Sequence, residues 1–167
     1  MLISYFGRKP GVLIPDGVVA AGWGCFGSNT SVKTLTTPTT LKTLKKASLA
    51  WSSAEHVCLT GVETIEDSAF WGSKLESIDL PDSLISVGDN AFGQCHYLKK
   101  LEFKNPGTVF QGRIAPMAYA LETVILPDGI KEIPDGAFYY CESLCDIRIP
   151  ETVKHIANSA FQGCKSL

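Results

Sequence analysis

The chain repeats itself at a fixed interval, and this repetition constrains the fold more than any other feature of the sequence. The segments LETVILPDGIKEIPDGAFYYCES, from Leu121, and LCDIRIPETVKHIANSAFQGCKS, from Leu144, align without a gap, and their starting positions differ by 23 (144 − 121). The same step leads back to Leu98 and Leu75, and looser copies reach Lys9. We therefore expect one domain over residues 1–167, built of about seven units that start near residues 9, 32, 54, 75, 98, 121 and 144.

Within a unit, each recurring residue type has a physical role. The alternation around Ile78 and Leu80 puts both side chains on one face of a short strand. Pro81 follows, where the strand ends because proline cannot donate to the ladder. The pair Ala91-Phe92 and then Cys95 complete the unit. No unit can bury its apolar side alone, so the units are expected to stack.

Stacking of this kind predicts a solenoid with one continuous parallel β-sheet and short helical or 3-10 turns at the Ala-Phe positions. Ala137-Phe138 and Ala160-Phe161 repeat the Ala91-Phe92 pair, so the phenylalanines should form a buried column. The unit from Leu98 keeps its length but carries Ala115 in place of the phenylalanine. We interpret this departure as drift within the repeat rather than as a binding irregularity.

The pattern L-x-x-I-x-L-P-x-x-L-x-x-I-x-x-x-A-F-x-x-C-x-x resembles the BspA-type leucine-rich repeat and covers the chain from about Lys9 to Leu167. The resemblance implies an α/β leucine-rich-repeat solenoid. It also implies cell-surface or secreted proteins of bacteria or protists that act in adhesion and bind proteins or matrix. It supplies no catalytic residue and no cofactor, because the motif of the family contains none.

Charge and hydropathy narrow the choice of partner. A net charge of −2 does not favour nucleic acid, and no apolar run is long enough for membrane insertion. The N-terminus lacks the order of a signal peptide, so the chain is expected either to belong to a longer surface or secreted protein or to stay in the cytoplasm. No acid lies between Asp16 and Glu55, which predicts a solvated positive edge at Lys33, Lys42, Lys45 and Lys46.

Solenoids bind through the surface that their sheet lines, and strand alternation predicts which side chains face outward there. Gly11 and Leu13 begin this surface. The expected partner-binding strip consists of Thr34, Thr36, His56, Cys58, Ser77, Asp79, Lys100, Glu102, Thr123, Ile125, Asp146 and Arg148. It holds no cluster of the Trp, Tyr and Arg side chains that dominate protein interfaces.

Several patterns that suggest chemistry are explained more simply by the repeat. Gly22–Gly27 matches G-x-G-x-x-G, but no acid follows before Glu55 to bind a ribose, and Phe26 falls in the phenylalanine column. The histidines occupy three different repeat places, and an open sheet offers no cleft for the acid pairs of adjacent units. The histidines are His56, His96 and His155, and the acid pairs are Asp79/Glu102 and Asp128/Glu151. We expect no catalytic site, no metal and no cofactor.

The cysteines also follow the repeat. Cys95, Cys141 and Cys164 are spaced by the period or twice the period, which predicts free thiols packed in the turns. The chain contains no C-x-x-C, which weakens zinc and redox interpretations. Cys58 should point outward from its strand and is expected to be the most reactive thiol, with Cys145 as a second candidate.

Two classes of function remain open from the sequence. The first is a non-catalytic protein-interaction or adhesion module with a protein, matrix or glycan ligand. The alternative is a carbohydrate-binding or enzyme-associated presenting domain, or an intracellular scaffold. Trp23, Trp51 and Trp71 lie near the phenylalanine turns and are expected to cap the core rather than to bind sugar.

The two ends of the array carry different expectations. The last unit is as apolar as an internal one, which predicts further repeats or end-to-end self-association through an uncapped C-terminal edge. At the other end, Leu2-Ile3-Ser4-Tyr5 is expected to lay a strand over the first unit.

Overall fold

Very short strands recur along the whole of the computed structural model, which describes residues 8–167. The strand expected over Leu2–Tyr5 lies outside these residues. The strands are β1 Gly11–Leu13, β2 Ala20–Ala21, β3 Thr34–Thr36, β4 Thr43–Leu44, β5 His56–Cys58, β6 Thr64–Ile65, β7 Ser77–Asp79, β8 Ser86–Val87, β9 Lys100–Glu102, β10 Val109–Phe110, β11 Thr123–Ile125, β12 Glu132–Ile133, β13 Asp146–Arg148 and β14 His155–Ile156.

Odd-numbered and even-numbered strands form two faces of one coil. The odd strands pair in parallel with odd strands of neighbouring turns, as Val12 with Leu35 and Leu35 with Val57. The even strands do the same on the opposite face, as Leu44 with Ile65. Each turn therefore contains one front strand and one back strand, from turn 1 (β1 and β2) to turn 7 (β13 and β14). This confirms the parallel solenoid, with one turn of the coil for each unit of the sequence repeat.

The Ala-Phe segments form the corner between the back and front faces, and the prediction of helical turns there is wrong. Residues 8–167 contain no helix, and hence none that could cross a membrane. Left-handed residues flank each segment, as Asn90 (φ 58°) and Gln94 (φ 55°) flank Ala91-Phe92. A left-handed residue every four positions cannot continue into a right-handed helix.

This corner carries its own set of backbone hydrogen bonds along the coil. The N–H of Phe70 donates to the carbonyl of Ala91 at 2.8 Å, and the N–H of Phe92 donates to that of Ile114 at 3.0 Å. An equivalent bond joins each turn to the next throughout the described residues. We call this series the corner ladder; its donors are Phe26, Leu49, Phe70, Phe92, Ala115 and Phe138.

The front and back faces, by contrast, are each interrupted once, so the expected continuous sheet is not found. Strands β1, β3, β5 and β7 form one front sheet, and β9, β11 and β13 form another. The back face divides into β2, β4, β6, β8 and β10, and then β12 and β14.

Turn length changes at the front interruption. Val57 and its partner Ile78 are 21 residues apart in sequence (78 − 57). Ile78 and the equivalent residue of the next turn, Leu101, are 23 apart (101 − 78). The back face undergoes an equal change between the steps Ala21–Leu44 and Leu44–Ile65, and its strands stay paired there. The change of turn length therefore coincides with the front interruption but does not by itself account for it.

A proline explains the back interruption. Turn after turn, one N–H of the back face donates to the preceding turn, as Gly88 donates to Ile65 at 2.7 Å and Gln111 to Val87 at 2.9 Å. Pro134 occupies this position in the next turn and has no N–H. The carbonyl of Phe110 therefore receives no such bond, and β10 and β12 are not paired with each other.

Stacked phenylalanines fill the corner side of the core. The rings of Phe70 and Phe92 are stacked at 5.3 Å, and those of Phe138 and Phe161 at 5.8 Å. The column is interrupted in turn 5, where Ala115 is fully buried. Two rings supplied by strand segments of turn 5 lie beside this place, since Phe103 contacts both Phe92 (6.4 Å) and Phe110 (4.9 Å) edge to face.

The cysteines of the repeat line the core beside the phenylalanines. All six cysteines are free. The Cys95 thiol donates to the Phe70 carbonyl at 3.1 Å, and Cys141 donates to Ala115 at 3.1 Å. Burial raises the pKa of Cys95 and of Cys141 to about 12 each, so both thiols stay protonated at neutral pH. Exposure reverses the expected order of reactivity, because Cys145 is exposed and Cys58 is only half-exposed.

Truncation of the stacked rings should destabilise the coil strongly. Phe92→Ala and Phe138→Ala each remove a fully buried ring, and each should lower the free energy of unfolding by about 3–5 kcal/mol. Urea denaturation measures this change. Val109→Ala, at a side chain that is 60% exposed, is the control and should change stability by less than about 0.5 kcal/mol. Unchanged midpoints for both phenylalanine variants would contradict a buried column.

Thiol labelling should separate exposed from core cysteines. With an aromatic disulfide reagent, the folded chain should show one fast-reacting thiol, Cys145, while Cys95 and Cys141 should react only after unfolding. Raising the pH from neutral towards 9 should leave the two core thiols protected, since the pKa of each is about 12. Cys145→Ser should abolish the fast phase and Cys58→Ser should preserve it. The opposite pattern would restore Cys58 as the reactive thiol.

Candidate binding surface

The side chains predicted for the binding strip lie on the front strands, in two rows that run along the coil. Register pairs place Thr34, His56 and Ser77 next to one another in the first row. The second row brings Thr36, Cys58 and Asp79 together in the same way. Beyond the front interruption the rows continue through Lys100, Thr123 and Asp146, and through Glu102, Ile125 and Arg148.

Strand alternation determines the exposure of these rows. The middle residue of each strand points into the core, where Leu35, Leu101 and Val124 are buried. The flanking residues are exposed or half-exposed, with Lys100 and Arg148 among the exposed ones and Glu102 and Ile125 among the half-exposed. The strip is therefore accessible at every turn.

Ion pairs neutralise most of the charge on the second half of the strip. The Lys100 ammonium donates to the Glu102 carboxylate at 2.8 Å, and this hydrogen bond lowers the pKa of Glu102. Arg148 lies 3.6 Å from Asp128, in the loop after the preceding front strand. The other carboxylates of the strip make no ion pair with any residue in the range 8–167; they are Asp79 and Asp146. The strip thus presents paired charges together with two unpaired carboxylates.

Three of the four lysines of the expected positive edge are paired with acids, while the Lys46 side chain makes no ion pair within residues 8–167. Lys42 pairs with Glu63 at 3.0 Å, and Lys45 pairs with Glu66 at 2.7 Å. Lys33 pairs with Glu55, and the resulting hydrogen bond lowers the pKa of that carboxyl. In each case the acid comes from the next turn of the coil. The segment between Asp16 and Glu55 contains no acid, but stacking of the turns places acids of the next turn beside its lysines.

A shallow cleft of about 400 Å³ opens at the interruption between β7 and β9. It is lined by His56, Glu76, Ser77, Tyr97 and Lys99. Sequence reasoning missed Glu76, Tyr97 and Lys99, because they lie outside the strand alternation. The change of repeat length at this turn was the signal that could have located them.

The cleft contains a serine next to a histidine without the rest of a hydrolytic site. Nδ1 of His56 lies 2.8 Å from Oγ of Ser77, within hydrogen-bond distance. Nucleophilic catalysis also needs a group that orients the histidine and donors that stabilise an oxyanion. Within the described chain, Glu76 makes no hydrogen bond to His56. Within residues 8–167 the cleft thus holds a His–Ser pair with no carboxylate hydrogen-bonded to the histidine.

The other sequence patterns lie apart from this surface. Gly22–Gly27 forms the corner of turn 1 with Phe26 buried, and no helix follows it. His96 lies at the corner, stacked on Tyr119 at 4.9 Å, whereas His155 lies on β14 of the back face. No three His, Cys, Asp or Glu side chains between residues 8 and 167 converge on a common point as metal ligands do.

The tryptophans differ from their expected role as core caps. Trp23 is 74% exposed and Trp51 is 57% exposed, while Trp71 is half-buried. Both Trp51 and Trp71 lie against glycines of the following turn, Gly72 and Gly93. They cover backbone at the corner and leave much of their surface in solvent.

Solved structures similar to this chain share its coil. A leucine-rich-repeat protein from T. pallidum matches with a TM-score of 0.87 and 24% identity, over 99% of this chain and 81% of that one. One from Bacteroides ovatus matches with a TM-score of 0.69 and 23% identity, over 95% of this chain but 48% of that one. The pneumococcal vaccine antigen PcpA gives a TM-score of 0.57 and 16% identity, over 90% and 63% of the two chains. These likenesses establish the fold alone.

Family membership rests on the repeat itself. No curated protein matches the sequence significantly. The model of the BspA type leucine rich repeat region, however, matches residues 11–114 and 63–167, with six copies of the repeat. These ranges cover both faces, the corner ladder and the strip. The chain belongs to the BspA-type leucine-rich-repeat family.

Proposed function

We propose that this chain is a non-catalytic interaction module whose strip binds a protein or matrix ligand, as part of a cell-surface or secreted protein. The observation that carries the proposal is the strip itself, with two rows of accessible side chains held in register by paired parallel strands. Repeat solenoids bind through such extended surfaces. The surface or secreted setting and the adhesive role follow from what the family resemblance implies.

The two ends of the strip differ in chemistry, which would orient a bound partner. The first turns present the hydroxyls of Thr34 and Thr36, beside Leu13, which is 74% exposed. The last turns present charged groups, among them the ion-paired side chains of Lys100 and Arg148. A partner with complementary charge at one end and apolar surface at the other would bind in one direction only. Such complementarity contributes to specificity more than to affinity.

Removal of the charged end of the strip should weaken binding without unfolding the coil. The test is binding of the chain to an immobilised panel of collagen, laminin and fibronectin. Lys100→Ala, Glu102→Ala and Arg148→Ala together should lower the affinity for a bound member at least about tenfold, or about 1.4 kcal/mol. The melting temperature should change little, because exposed ion pairs add little stability.

An ion pair away from the strip provides the matched control. Glu142 and Lys165 lie 2.8 Å apart and, like the strip residues, form a solvent-exposed pair. Glu142→Ala with Lys165→Ala should leave binding unchanged. Failure of the intact chain to bind any member, or equal loss with the control pair, would contradict the proposed role of the strip.

A further inference from the structure

Trp51 presents an indole ring on the corner of turn 2 that is fixed on one face and open to solvent. The side chain is 57% exposed. A Cβ added to Gly72 would lie 2.5 Å from both Cε3 and Cζ3 of Trp51, so the six-membered ring packs directly against the glycine of the next turn. This contact restricts the ring, while more than half of the side chain stays in solvent.

The residue that precedes Trp51 at the equivalent corner position of turn 1 is small. The N–H of Ser28 donates to Ala50 at 2.8 Å, and the N–H of Trp51 donates to Trp71 at 2.8 Å, which places Ser28 and Trp51 at equivalent positions of adjacent turns. In turn 6 the same position holds Tyr140, whose ring also lies on a glycine of the next turn, Gly163. Ser28 has a short side chain and places no aromatic ring beside the indole.

Backbone geometry does not require an aromatic residue at this position. Trp51 has a left-handed φ of 58°, which is costly for a bulky side chain. The equivalent positions of turns 3 and 7 are occupied by Gly72 and Gly163 with φ of 66° and 82°. A tryptophan that is backbone-strained and more than half exposed gains little from packing, which favours a role in binding.

The rim of the open face consists of uncharged polar groups. Ser28 and Thr30 are exposed, and Ser31 is half-exposed. No ionisable side chain lies between residues 28 and 32, and the next one, Lys33, is paired with Glu55. A flat apolar platform beside neutral hydroxyls matches a sugar ring, which has one C–H face and a perimeter of hydroxyls.

We propose that the open face of Trp51 and the segment Ser28–Ser31 form a binding site for a neutral saccharide. The sugar ring would stack on the indole at the place that Ser28 leaves open, and its hydroxyls would exchange hydrogen bonds with the side chains of Ser28 and Thr30. The site lies on the corner rather than on the strip, so it does not rest on the function proposed above.

The test is titration calorimetry of the full chain with neutral oligosaccharides: chitotriose, cellohexaose, maltohexaose and xylohexaose. At least one should bind, and Trp51→Ala should weaken its binding at least about tenfold. Ser28→Tyr should do the same without removing the indole, because it fills the place above the ring. Tyr140 shows that the left-handed backbone of this column accepts a tyrosine, and thermal melting checks that the new ring is tolerated beside the Cβ of Trp51, which Gly163 lacks. Trp23→Ala is the matched control, since Trp23 is 74% exposed but precedes Phe26 in its corner.

Retained binding in Ser28→Tyr, or an equal loss in Trp23→Ala, would overturn the assignment, as would the absence of heat with every sugar. Exclusive binding of a sulfated oligosaccharide would also overturn it, because the site was assigned from its neutrality. If a matrix protein binds through Trp51 while no sugar does, the surface is a protein interface and the proposal fails. Thermal melting identifies any variant that has lost its fold, in which case Ser28→Tyr still decides the question.

Discussion

The backbone hydrogen bonds of the corner ladder connect every pair of neighbouring turns between residues 8 and 167. They form because left-handed residues such as Asn90 and Gln94 turn the peptide groups along the axis of the coil. The Ala-Phe pair between them points into the core, where ring stacking and apolar burial act on the same contact. Backbone hydrogen bonding and side-chain packing therefore act together at the corner of each turn, and the front and back strands extend from this corner.

This coupling explains how the coil tolerates irregularity elsewhere. The front face is interrupted between β7 and β9, and the back face between β10 and β12, yet the corner bonds of Phe92 to Ile114 and of Ala115 to Ala137 continue through turn 5. Because the two interruptions fall on different sides of turn 5, this turn is paired to turn 4 at the back and to turn 6 at the front. The cleft lined by Tyr97 lies at the front interruption, and the core continues past it.

The corner and the front face also divide the possible roles of the surface. The front strands hold paired charges such as Lys100 with Glu102, on a rigid plane suited to a broad partner. The corner holds single aromatic groups such as Trp51, each set by the glycine of the next turn. Two surfaces with different chemistry therefore lie on one coil.

The repeat period by itself determined the parallel coil, the buried phenylalanine column and the alternation that defines the strip, because these depend on spacing along the chain. The repeat period did not determine which lysines form ion pairs, since Lys42 and Glu63 come into contact only when neighbouring turns stack. The absence of helix followed from left-handed residues that composition does not reveal. Only the tertiary structure decided that Trp51 is more than half exposed while its ring packs against Gly72, because this depends on which residue of the next turn lies beside it.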